Sequence, residues 1–206
     1  VHGSRGLGDV YKRQLSLLND KNNVNQFSLE LKKIVKSLKK VNNIFAKMPE
    51  KCDPYVYYHR VRPYIFGTKD NPDLKEGLIY ENQYQNVPQF FRGETGAQSS
   101  IIPFLDGALG IYHTNDNLRP YLNEMRDYMP PKHRKMIENV EERSVAKECI
   151  DKSKKLKLEY NQCLEEIRRF RAQHLEFAAS YIHKQSKAKN AFGSGGSTFR
   201  LSLIHI

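Results

Sequence analysis

The feature that most constrains this chain is its last periodic segment. From about residue 154 to residue 187 there is no proline and no glycine. A stripe recurs at three- and four-residue intervals through Leu156, Tyr160, Cys163, Leu164, Ile167, Phe170, His174, Ala178, Tyr181 and Ile182. That rhythm predicts one long amphipathic helix, and such a helix must bury its stripe against other elements. The rest of the chain follows suit. Phe27, Leu29, Leu31, Ile34, Val35, Leu38, Val41, Ile44 and Phe45 predict a helix over about 26–48, closed by Pro49 and Asp53-Pro54. Residues 55–66 are aromatic and read as helical, with Pro63 expected to kink them. Residues 67–73 are a loop and 78–91 short connecting structure. Residues 99–112 are apolar apart from Asp106 and two serines, as expected of a helix buried on all sides. Further helices are predicted over 116–129, ended by Pro130-Pro131, then 132–142 and 144–151, with a glycine-serine loop at 191–198. No alternating strand pattern and no repeat is present, so the expected fold class is all-α.

The two ends stand apart. Asp9-Val10-Tyr11-Lys12-Arg13-Gln14 can be encoded by GAT GTG TAT AAG AGA CAG. The reverse complement of that DNA translates as Leu-Ser-Leu-Ile-His-Ile, which is Leu201-Ser202-Leu203-Ile204-His205-Ile206. The expectation is that residues 1–14 and 201–206 are sequencing adapter, and that residues 15–200 are a fragment of a longer protein. Adapter residues carry no fold information, like any other processing scar.

Composition narrows the function. A net charge of +11 invites a nucleic-acid reading. The lysines, however, cluster at 32–40 and 152–157, interleaved with apolar residues at helical spacing, which is the pattern of a solvated helix face. No apolar run approaches the ~20 residues that span a bilayer. Cys52, Cys149 and Cys163 lack metal-ligand spacing, and an odd, sparse count suits reduced thiols in the cytoplasm.

Chemistry concentrates in two places. Phe91-Arg92-Gly93-Glu94-Thr95-Gly96-Ala97-Gln98-Ser99-Ser100 sets glycines and small hydroxyl residues directly before the apolar segment. That suits a backbone passing close to a flat ligand. His174 lies on the stripe of the last helix, where an imidazole can serve a haem iron. A core histidine satisfied by a hydrogen bond is the other reading that its position leaves open.

Resemblance joins the two. Gly93-Glu94-Thr95-Gly96-Ala97-Gln98-Ser99-Ser100 resembles a signature of the indoleamine 2,3-dioxygenase family. So does Tyr121-Leu122-Asn123-Glu124-Met125-Arg126-Asp127-Tyr128-Met129-Pro130-Pro131-Lys132-His133-Arg134. Arg171-Ala172-Gln173-His174-Leu175 is similar to the family's proximal-ligand helix, and Tyr57-Tyr58-His59-Arg60-Val61-Arg62-Pro63 to its substrate-clamp segment. The order matches, over roughly residues 52–199. The resemblance implies a multi-helix haem domain, incomplete on its N-terminal side, that opens the indole ring of L-tryptophan or a related indoleamine to give N-formylkynurenine. It implies one haem b per full-length chain, dioxygen as co-substrate, an electron donor that keeps the iron ferrous, and a cytoplasmic monomer without nucleic-acid or membrane partners. The alternative is a relative that binds haem or oxygen without dioxygenase activity.

The implied roles fall on particular residues. His174 is the iron ligand, and Arg171, one turn earlier, lies near a haem propionate. Asp106 stands on the proximal side, with Arg171 or the His174 ring as its candidate partner. Arg62 clamps the substrate carboxylate, Tyr57 and Tyr58 pack on the indole, and Thr95 and Gly96 line the loop over the haem. Ser194, in Gly193-Ser194-Gly195-Gly196-Ser197, belongs to a mobile loop contacting substrate or propionate. The sequence departs from the family at Tyr57 and Tyr58, where phenylalanine is the pattern, and at Thr68, where many relatives carry tryptophan. The extra hydroxyls are expected to alter pocket polarity. His59, His113 and His133 receive no chemical role.

Overall fold

A computed structural model describes residues 24–71, 73–112, 119–151 and 153–186. The helices in chain order are α1 (Val24–Phe45), α2 (Pro54–Val56), α3 (Arg62–Ile65), α4 (Ile101–Leu109), α5 (Arg119–Asp127), α6 (Pro131–Arg143), α7 (Ala146–Ile150) and α8 (Lys154–Ala178). Wider π-helical turns occupy Tyr57–Val61 and Ala179–His183. Among the described residues there is no strand, only one isolated antiparallel bridge between Leu78 and Gln89. The all-α expectation holds. No helix among the described residues is long and apolar enough to cross a membrane.

The chain divides into two compact units. The first holds the described parts of Val1–Ala46 and Ser99–Phe170, and the second those of Lys47–Gln98 and Arg171–Ile206. In the first, one face of α1 (Phe27, Leu31, Ile34, Val35, Leu38) packs with Leu105 and Leu109 of α4, Ala146, Cys149 and Ile150 of α7, and Leu156, Tyr160, Cys163 and Ile167 of α8. Each such large apolar side chain contributes about 1.5–3 kcal/mol by leaving water. A smaller cluster joins Phe104 and Ala108 of α4 to Met129 and to Ile137 and Val140 of α6.

The buried face of α1 differs from its apolar pattern. Leu29, Val41 and Ile44 are exposed, while Ser28, Glu30 and Asn42 are buried. Direct pairing explains two of the buried polar positions. Ser28 Oγ donates to Glu159 Oε1 at 2.9 Å. Asn42 Nδ2 donates to Glu166 Oε2 at 2.8 Å and to the Glu166 carbonyl at 3.0 Å. Two carboxylates of α8 thus recruit polar residues of α1, and hydrophobic periodicity cannot register such cross-helix bonds.

In α4 the run from Phe104 to Gly110 is buried, as expected, while its first turn is not: Ile101 is exposed, and Ile102 and Pro103 are half-buried. Gly110 closes the helix in the left-handed region (φ 66), where a side chain would be strained. The Ile111 amide returns to the Asp106 carbonyl at 2.8 Å. Ser100, at the start of α4, turns its hydroxyl to His133 Nδ1 at 3.0 Å instead of capping the helix.

Candidate functional site

The second unit gathers most of the residues to which the sequence assigned chemistry. Asp53 opens α2, its carboxylate accepting from the Val56 amide at 2.9 Å, with Pro54 in the first turn. Ahead lies Pro63, which has no N–H and whose ring crowds the carbonyl four residues back. The kink expected there takes a specific form. The chain widens into the π turn Tyr57–Val61, closed by the Arg62 amide bonding to the Tyr57 carbonyl. An extra residue in a turn rotates the side chains that follow it, a device common at functional sites. Here it sets the direction of Arg62.

Two aromatic rings hold the Arg62 guanidinium. Its Cζ lies 5.0 Å from the centroid of Tyr58 and 4.5 Å from that of Phe66. Burial pushes the Arg62 pKa below its ordinary value, against an opposing influence of Tyr58 and Tyr57. An arginine in such a setting stays charged at neutral pH.

Directly after Phe66 the clamp segment is fastened to the signature loop. The Glu94 amide bonds to the Ile65 carbonyl at 2.9 Å, and the Thr68 and Lys69 amides bond to the Phe91 carbonyl at 2.9 and 3.0 Å. Thr68 Oγ1 donates to the Gln89 carbonyl at 3.1 Å and accepts from the Phe91 amide at 2.9 Å. The hydroxyl at this departure from the family pattern is therefore engaged with backbone, and Thr68 is buried. The crossing is so close that a Cβ on Gly67 would sit 2.2 Å from the Gly93 nitrogen. Arg92 adds an ion pair to Asp70 at 2.7 Å.

Beyond the crossing, Thr95 begins the short turn Gly96–Gln98, its hydroxyl 3.4 Å from the Ala97 amide and its carbonyl 3.0 Å from the Gln98 amide. Gln98 Nε2 returns to the Gly93 carbonyl at 3.1 Å. Gly96 is exposed, and a Cβ there would meet no atom within 4 Å.

The end of α8 completes the unit. The Tyr181 hydroxyl donates to the Cys52 carbonyl. Its ring meets Tyr57 edge-on at 5.7 Å and Phe177 at 6.0 Å. The two π turns are thereby joined ring to ring. Tyr57 is thus partly spent on packing.

His174 sits seven residues before Tyr181 on α8. The residue is exposed, yet enough protein crowds its imidazole to push the pKa below 6.5 by desolvation. Its imidazole makes no hydrogen bond among the described residues. The ring is neutral at pH 7 and keeps a nitrogen lone pair for a ligand, which is what an iron donor would require. Among the described residues no three His, Cys, Asp or Glu side chains converge to hold a bare metal ion. A porphyrin-bound iron brings its own four nitrogens and asks one donor of the protein, so a lone imidazole fits that group.

Tyr57, Tyr58, Arg62, Thr95, Gly96, Arg171 and His174 all belong to the second unit. Asp106 is buried on α4 in the first. Ser194 and His113 lie outside the described residues. The sequence reading missed Phe66, Gly67 and Tyr181. Spacing of four from Arg62 was the available signal for Phe66; nothing local marked the other two.

The fold and the site define an all-helical protein with an exposed histidine on the longest of its described helices and an arginine beside two aromatic rings in the same unit. The family model for indoleamine 2,3-dioxygenase matches residues 3–200, and the chain belongs to that family. It is 38% identical over 160 residues to indoleamine 2,3-dioxygenase 1 of Rattus norvegicus, covering 76% of this chain and 39% of that protein. For indoleamine 2,3-dioxygenase 1 of Mus musculus the identity is 37% over 164 residues, 78% of this chain and 40% of that protein. A 6-hydroxytryptophan 2,3-dioxygenase of Fusarium equiseti is 33% identical over 183 residues, 84% of this chain and 45% of that protein. The chain therefore spans less than half the length of these curated relatives.

Proposed function

We propose that the full-length protein carrying this chain is a cytoplasmic haem dioxygenase that opens the indole ring of L-tryptophan, or a close relative of it, to N-formylkynurenine. The observation that carries the reading is the setting of His174, exposed on α8 and without a hydrogen bond among the described residues. His174 is the residue that would hold the iron, and Arg171, one turn earlier on α8, is the cation suited to a propionate. Ferrous haem supplies the electron density that dioxygen needs to react with a closed-shell indole.

This chain's own residues bind and orient. Arg62 takes the substrate carboxylate by charge and by its planar fork of donors. Tyr58 offers the indole an aromatic wall, and Tyr57, held by Tyr181, supports it. Thr95 and Gly96 form a loop with room for a flat ligand at the glycine, and Ser194 contributes a hydroxyl. No side chain of this site need act as a base.

His174→Ala in the full-length protein tests the reading. Haem retention is expected to fall, with loss of the Soret band and of N-formylkynurenine formation from L-tryptophan. An unchanged Soret band in the variant refutes the ligand assignment. A wild-type protein that binds haem but forms no N-formylkynurenine refutes the activity.

A further inference from the structure

Tyr181 grips the start of the clamp segment with both parts of its side chain. Its hydroxyl donates to the Cys52 carbonyl, and its ring meets the Tyr57 ring edge-on at 5.7 Å. Cys52 stands directly before Asp53, the residue that caps α2. Tyr57 ends that first turn, its amide bonding to the Asp53 carbonyl at 2.9 Å. One side chain therefore holds both ends of the turn from which the π turn Tyr57–Val61 departs. Tyr181 lies inside the π turn Ala179–His183 and is only 4% exposed. Phe177, one helical turn earlier on α8, meets the Tyr181 ring at 6.0 Å.

A buried tyrosine packs with its ring and needs a partner for its hydroxyl. Tethered at the hydroxyl and packed about the ring, Tyr181 has little rotamer freedom left, and it passes that restraint to the ring it touches. Tyr57 is half-buried, so part of its surface stays open beyond this contact. An aromatic wall that is held before its ligand arrives loses less side-chain freedom on binding, and affinity gains accordingly. We propose that Tyr181 is a positioning residue that fixes the Tyr57 ring in the direction that receives an indole, and so sets the affinity for the indole ring by acting through Tyr57.

The inference rests on the reading of Tyr57 as part of the indole wall, and it goes beyond that reading by assigning affinity to the end of α8. Tyr181→Leu removes ring and hydroxyl, Tyr181→Phe removes the hydroxyl alone, and Tyr57→Leu removes the ring acted upon. These variants, and the double variant Tyr57→Leu/Tyr181→Leu, are made in the full-length protein. Equilibrium dialysis gives the L-tryptophan affinity, and N-formylkynurenine formation gives kcat and KM. Tyr181→Leu is expected to weaken L-tryptophan about fivefold, the equivalent of one aromatic pair. KM rises with kcat nearly constant, and the Soret band of the substrate-free protein is unchanged. Tyr181→Phe, which keeps the ring and loses its tether, weakens binding by about twofold. In the Tyr57→Leu background, Tyr181→Leu adds less than about twofold, because the ring through which it acts is already gone.

Unchanged affinity in Tyr181→Leu overturns the proposal. So do losses that multiply in the double variant, or a fall in kcat with KM unmoved. Tyr57→Leu with wild-type affinity overturns the indole-wall reading, and this inference with it. Tyr57→Leu that weakens L-tryptophan while Tyr181→Leu does not overturns the positioning role alone. Fluorine NMR of protein carrying fluorotyrosine supplies a readout that stands even where Tyr181→Leu does not fold. The Tyr181 signal, assigned by its loss in Tyr181→Phe, shifts when L-tryptophan is added if the two rings are coupled. A signal that stays in place at saturating L-tryptophan refutes the coupling.

Discussion

Replacing Gly67 by alanine tests the crossing that ties the clamp segment to the signature loop. The new Cβ would lie 2.2 Å from the Gly93 nitrogen and 2.4 Å from the Phe91 carbonyl oxygen, where ordinary contact begins at 3.4 Å. The strands of backbone must separate by about 1 Å, because neither obstacle is the flexible end of a side chain. That separation breaks or stretches the bonds from the Thr68 and Lys69 amides to the Phe91 carbonyl and from the Glu94 amide to the Ile65 carbonyl. At about 0.5–1.5 kcal/mol each, loss of two to three of them costs about 1–4 kcal/mol, in line with about 1–3 kcal/mol for overpacking a tight site. The expected destabilisation is about 3 kcal/mol. Gly96→Ala is the internal control, since its Cβ meets nothing within 4 Å, and it should be neutral or slightly stabilising. Urea denaturation of the full-length protein reads the cost. Hydrogen exchange at the Thr68, Lys69 and Glu94 amides locates it. If Gly67→Ala falls within about 0.5 kcal/mol of Gly96→Ala with those amides still protected, the close crossing is not what holds this site.

Asn42→Ala removes a fully buried side chain that bonds twice to Glu166. Losing a charge-assisted bond and leaving a carboxylate short of a donor should cost about 2–3 kcal/mol in urea denaturation, and a cost under about 0.5 kcal/mol refutes the cross-helix role. Burial pushes the Cys163 thiol up from 9.0 to about 12. The folded state keeps its proton longer than the unfolded state does, so the associated stability is intact below pH 9 and is lost as pH rises toward 12. Cys163→Ala should flatten that alkaline decline in thermal unfolding. An identical decline in the variant rules Cys163 out as its source.

The helical elements were legible because their causes are local. Pro49, Asp53-Pro54 and Pro130-Pro131 interrupt helices wherever they occur, and a stripe such as Leu156-Tyr160-Cys163-Ile167 names its own buried face. The motif strings likewise brought Arg62, Thr95 and His174 forward, because the chemistry of arginine, hydroxyl and imidazole is carried by residue type. Less legible were positions whose roles depend on a distant partner. Asn42 carries no mark in the sequence, because its partner, Glu166, lies far along the chain. Thr68 looked like a pocket residue, yet its hydroxyl is taken by the backbone of residues 89 and 91.

By itself, then, the sequence determined that this chain is helical and where its helices break. Periodicity and residue type are properties of neighbours along the chain, so they can be read there. Only the tertiary structure decided that the backbone at Gly67 would pass close to Gly93 and that the exposed His174 would be desolvated by surrounding protein. Those outcomes depend on which backbone groups approach one another across tens of residues, and on how much water each approach excludes.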